Sequence, residues 1–122
     1  FQTDATNSEA FTDFTVWHFI HSIGGTDFIS ALPITVAANT IYHLKIEIDS
    51  DRKLSIFVDG QQYNITSTSG STGGTAVTSG TTKSGAMTND VDLIPYIGIE
   101  AGAAAAEAVD VHYECISRTL FE

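Results

Sequence analysis

The run Tyr42-His-Leu-Lys-Ile-Glu-Ile-Asp49 alternates apolar and polar side chains: Leu44, Ile46 and Ile48 share one parity, and His43, Lys45, Glu47 and Asp49 the other. Successive strand side chains point to opposite faces, so this pattern makes an amphipathic strand and would smear around a helix. Polar Ser50-Asp-Arg-Lys53 then turns the chain into Leu54-Ser-Ile-Phe-Val58. Asp59-Gly60 turns it again into Gln61 to Thr66, completing an antiparallel meander.

The rest of the chain reads in the same way. Thr15 to Ile23 is dense in β-branched and aromatic residues and closes on Gly24-Gly25; Thr26 to Leu32 continues in the same style and stops at Pro33, which predicts a hairpin across the glycine pair. From Thr66 to Asn89 the chain is mostly Ser, Thr and Gly, with almost no bulky side chain to offset the entropy of ordering, so residues 66–89 read as a long loop or arm. Leu93-Ile-Pro-Tyr-Ile-Gly-Ile99 reads as a strand with Pro95 at an edge or start. Ala101 to Ala108 is too short and too interrupted by Gly102 for a helix, and Val109, Val111, Tyr113 and Cys115 resume the alternation. Seven or eight strands and no helix predict one all-β domain over residues 1–122, a two-sheet sandwich or jelly roll.

Composition narrows the partners. The 122 residues carry 5 basic against 15 acidic side chains, a formal charge of -10, which disfavours nucleic acid and anionic membranes. No run reaches the roughly 18 apolar residues of a membrane helix, so a soluble protein is expected. Cys115 is the single cysteine, which excludes an intrachain disulfide and a Cys-rich zinc site. The chain opens on Phe1 with no basic segment leading into an apolar one, so it is expected to hold no signal peptide.

The succession of Tyr42–Asp49, Leu54-Ser-Ile-Phe-Val-Asp-Gly60, Leu93–Ile99 and Val109-Asp-Val-His-Tyr113, with Ser117-Arg118 near the end, resembles the concanavalin A-like, laminin-G-like jelly rolls. More narrowly, it is similar to those of tailed-bacteriophage virion proteins. The resemblance covers Asn39 to the C-terminus well and the first forty residues loosely, and its motifs are strand-and-turn patterns rather than chemical signatures. It implies a two-sheet antiparallel jelly roll serving as a capsid decoration protein or as a tail or fibre module. Two departures stand out. Such folds have further strands ahead of Val16 to Ile23, which implies a missing or cleaved N-terminal part, and the Thr66 to Asn89 arm is longer than the usual connection.

Candidate chemistry is sparse. Glu47, Asp49 and Asp51 at i, i+2 and i+4 would align carboxylates as jelly-roll glucanases do, but the series runs into a polar turn and is expected to be a solvated face, so no enzyme is predicted. Asp49, Asp51 and Asp59, with Asn39 near them, are weak candidates for a calcium ion at a loop edge, a site that folds of this kind often carry. His18 and His21 lie three apart, on opposite strand faces; with His43 and His112 they are expected to be surface or interface residues rather than a zinc site. Cys115 is expected to be buried and inert in a strand. No Gly-x-Ser-x-Gly elbow is present, and Ser69-Gly-Ser-Thr-Gly-Gly74 lacks the Lys and helix of a phosphate cradle. Asn64-Ile-Thr66 matches a glycosylation sequon by coincidence. Trp17, Phe19, Tyr42, Tyr96 and Phe121 are expected to be core, with a sugar-stacking platform as the alternative.

The leading expectation is therefore a virion-surface structural protein that binds the major capsid protein or another virion protein and assembles as a homo-oligomer, with a trimer guessed from shell symmetry. A carbohydrate-binding, lectin-like module of a tail fibre is the alternative, since fold does not determine function.

Overall fold

The computed structural model describes residues 13, 15–70, 73–89 and 108–117. Over these residues the chain is all-β, with six strands and no helix. They are β1 (Val16–Ile23), β2 (Thr26–Thr35), β3 (Leu44–Ile48), β4 (Leu54–Val58), β5 (Gln61–Tyr63) and β6 (Thr75–Ala76). One sheet has the order β1-β2-β6 and the other β3-β4-β5. The predicted strand at Leu93–Ile99 and the Ala101 to Glu107 stretch lie outside the described residues.

Each hairpin follows from its turn chemistry. Ile23 pairs with Thr26 and Val58 with Gln61, leaving two-residue loops at Gly24-Gly25 and Asp59-Gly60. Their φ values of 58° and 79°, and of 50° and 81°, are those of type I′ turns, whose twist matches that of paired strands. Between β3 and β4 the loop ends on Arg52 at φ 60°, a left-handed position usually given to glycine. Pro33 does not end β2 as expected. The register shifts between Val16 paired with Thr35 and His18 paired with Ala31, and Pro33 sits in this irregularity, where the ladder makes no demand on its missing N–H.

The core lies where the sheets face each other: Leu32 from β2 meets Leu54 and Ile56 from β4, with Ile65 and Val77 from the connecting chain. Trp17, Phe19, Ile34, Tyr63 and Met87 pack around it.

The Thr66 to Asn89 segment is laced to both sheets by its backbone. Phe28 bridges to Ser69, β6 runs parallel to β2, and the Val77 N–H donates to the Ala31 carbonyl at 3.0 Å. The strap then crosses to the second sheet, where Asn64 N–H donates to Thr78 O (2.9 Å), Gly80 N–H to Gln62 O (3.0 Å) and Ser84 N–H to Leu54 O (3.1 Å). Two buried serines pin its ends: Ser30 Oγ accepts the Thr66 N–H at 3.0 Å, and Ser84 Oγ accepts the Leu54 N–H at 2.8 Å. At Gly74 (φ 71°) the strap passes so close to β2 that a Cβ would lie 2.8 Å from Ile29 Cγ2. Main-chain hydrogen bonding thus supplies the ordering that the composition withholds from side-chain burial.

Candidate functional site

The sheets close on each other along β2 and β4 and stay open along β1 and β3. Leu44, Ile46 and Ile48 pair with Val58, Ile56 and Leu54, so both rows lie on one face of the sheet. The β4 row is buried, but Leu44, Ile46 and Ile48 are 56%, 61% and 45% exposed, and Ile41 beyond them is exposed too. Between this ladder and β1 lies an open apolar cleft of about 180 Å³, with Trp17 and Phe19 on one side and Leu44, Ile46 and Val58 on the other. Tyr42 stands edge-on to Trp17 at 5.5 Å, its hydroxyl donating to the Thr35 carbonyl and accepting the Ala37 N–H. The opposite face of β3 is polar: Lys45 pairs with Glu47 at 2.6 Å and lies over the Phe57 ring, 4.6 Å from its centroid.

The ends of the β3–β4 hairpin are held by the carboxylates singled out in the sequence. Asp49 Oδ1 accepts the N–H groups of Asp51 and Lys53, both at 2.9 Å, and Oδ2 accepts Lys83 Nζ at 2.9 Å. Lys83 and the Lys53 N–H hold the Asp49 carboxyl below its ordinary range, and Asp49 in turn raises Lys83. Arg52 Nε donates to Met87 O, and Met87 N–H to Arg52 O, so the strap is tied to this turn. At the other end Asp59 Oδ1 accepts the His43 N–H at 2.9 Å and meets His43 Nδ1 at 3.3 Å.

This geometry separates the weak calcium candidates. Asp49 and Asp51 occupy one end of the hairpin and Asp59 the other, six residues along the strand or about 20 Å away at the usual strand rise, so the three cannot share one ion. Among the described residues no group of three or more His, Cys, Asp or Glu is placed to hold a metal ion. Glu47, Asp49 and Asp51 all lie near Lys83 and raise its pKa, with Asp49 in direct contact, so the three carboxylates surround a lysine.

Other residues depart from the sequence reading. His21 is buried rather than superficial, stacked on Phe19 and Phe28 at 5.6 Å and 5.0 Å, and burial lowers its pKa. Cys115 is exposed rather than buried: residues 108–117 form no strand and pair with no strand among the described residues; His112 lies in the same exposed stretch. Asn64 has a structural role: its side chain accepts the Thr82 N–H and donates to Thr78 Oγ1, fastening the strap to β5. Tyr96 and Phe121 lie outside the described residues. The parity of the β3 ladder is legible in the sequence, but its exposure is not. No protein-family model, curated protein or solved structure matches this chain.

Proposed function

We propose that this chain is a structural module of a virion surface, most simply a capsid decoration protein, whose sheets form part of a jelly-roll sandwich and which docks onto another virion protein. The observation that carries this reading is the ladder Leu44, Ile46 and Ile48 standing exposed beside an apolar cleft. Contiguous exposed apolar surface marks an interaction site, and an aliphatic or aromatic side chain of a protein partner fits a cleft walled by Trp17, Phe19 and Val58. The resemblance of the strand-and-turn pattern to virion jelly rolls supplies the partner class. The side chains that wall the cleft are apolar and aromatic, and the Lys45 ammonium lies on the opposite face of β3 beside Glu47, which leaves few donors and acceptors for a sugar, so the lectin reading ranks second.

Cosedimentation with purified shells of the particle that encodes this chain tests the reading. Saturable binding of the wild type, lost in Ile46→Asp, is expected. No binding, or binding indifferent to that substitution, contradicts it. A glycan-array response without shell binding moves the function to the lectin reading.

A further inference from the structure

The geometry assigns the free edge of β3 to a second copy of this chain, paired antiparallel about Ile46 so that the two β3–β4–β5 sheets become one. This inference goes beyond the virion reading and does not rest on it.

The hydrogen-bond parity of β3 comes first. Asp59 N–H donates to His43 O at 2.9 Å and Asp49 N–H to Lys53 O at 3.1 Å, at the two ends of the β3–β4 ladder. In an antiparallel pair, residues of one parity exchange hydrogen bonds with the partner strand while the other parity points away. His43, Lys45, Glu47 and Asp49 therefore face β4, and the N–H and C=O groups of Leu44, Ile46 and Ile48 point outward. Strand β3 ends its sheet, with no described strand on that side. It has neither proline nor bulge to blunt it, and the side chains of its outward-bonding residues are apolar and exposed.

The side chains then select one register. Pairing Ile46 with Ile46 of a second copy sets Leu44 against Ile48 and Lys45 against Glu47, each pair occurring twice by the two-fold. All three outward-bonding residues meet outward-bonding partners, and both charge pairs are opposite in sign. Sliding by one residue sets outward groups against inward ones. Sliding by two sets Lys45 against Lys45 in one direction and Glu47 against Glu47 in the other, which like-charge repulsion disfavours. The 2.6 Å pair of Lys45 and Glu47 within one strand holds both groups on the polar face, ready to be shared across the two-fold. This is a two-fold contact, not the three-fold one expected from shell symmetry.

Charge-swap mixing followed by analytical ultracentrifugation tests the inference, with circular dichroism confirming that each variant folds. Wild type is expected to be dimeric at high concentration. Lys45→Glu alone sets acid against acid, and Glu47→Lys alone sets base against base, so each should weaken self-association roughly tenfold or more. Mixed one to one, the two variants should form a heterodimer of wild-type strength. The double variant K45E/E47K should form its own dimer yet fail to mix with wild type, and it carries the test if a single variant misfolds. A wild type that stays monomeric into the millimolar range overturns the inference. So do single variants that associate normally, a mixture that stays monomeric, or a double variant that mixes freely with wild type.

Discussion

Asp49 closes the β3–β4 turn with one carboxylate oxygen and holds the strap through Lys83 with the other. Because its pKa is lowered in the fold, its contribution is complete above the ordinary carboxylate value of 3.8 and is lost as pH falls toward the lowered value. Asp49→Ala should therefore lower the thermal midpoint at neutral pH, and the gap from wild type should narrow in acid; a gap independent of pH would contradict the latch. His21 gives a second pH dependence at higher pH. Burial depresses its pKa below 6.5, so the unfolded chain binds a proton that the native ring resists. Stability should then fall as pH drops below about 6.5 and level off at the lower native pKa. Comparing wild type with His21→Phe between pH 7.5 and pH 5 by chemical denaturation should show a shallower slope in the variant, and equal slopes would argue against a buried neutral ring.

The strap is the element whose order rests least on side-chain bulk. Ser30→Ala and Ser84→Ala each strand a backbone N–H, of Thr66 and Leu54 respectively, and should cost about 1–3 kcal/mol by denaturant titration. Gly74→Ala must hold φ 71° against Ile29 and should cost about 1 kcal/mol from backbone strain alone, with the contact adding more. If these substitutions leave stability unchanged, the strap is not held as described. The hairpins at Gly24-Gly25 and Asp59-Gly60 are legible in the sequence because left-handed turns demand particular residue types. The strap is not, since any residue can supply the N–H and C=O groups that lace it. Pro33 misleads because an irregular register leaves its missing N–H unneeded. Strand parity is equally legible in Leu44, Ile46 and Ile48 and in Leu54, Ile56 and Val58. Whether a second layer covers the row is a tertiary fact, and it gives these two rows opposite burial. The carboxylates were legible as residues of two successive turns, and the structure shows what each one holds: Asp49 the turn and Lys83, Asp59 the His43 N–H at the other end of the β3–β4 hairpin.

At the scale of the molecule the two sheets are asymmetric. The strap bonds along β2 and β5 and fastens that side, while β1 and β3 border the open cleft. A chain with net charge -10 offers little attraction to a nucleic-acid backbone or an anionic lipid, and its open side is apolar, which suits a protein partner. The β3 edge and the face beside it are distinct surfaces: the edge pairs with a second copy, and the ladder face and cleft remain for a shell protein. Residue-resolved amide hydrogen exchange tests the central claim, that β3 is an unfilled interface, most directly. In dilute protein, the amides of Lys45 and Glu47 should be protected by β4 and those of Leu44, Ile46 and Ile48 should exchange rapidly. At high concentration the second set should become as slow as the first. Uniform protection in dilute monomer would show the edge already occupied within the chain, and rapid exchange at Leu44, Ile46 and Ile48 under all conditions would show that no second copy pairs there.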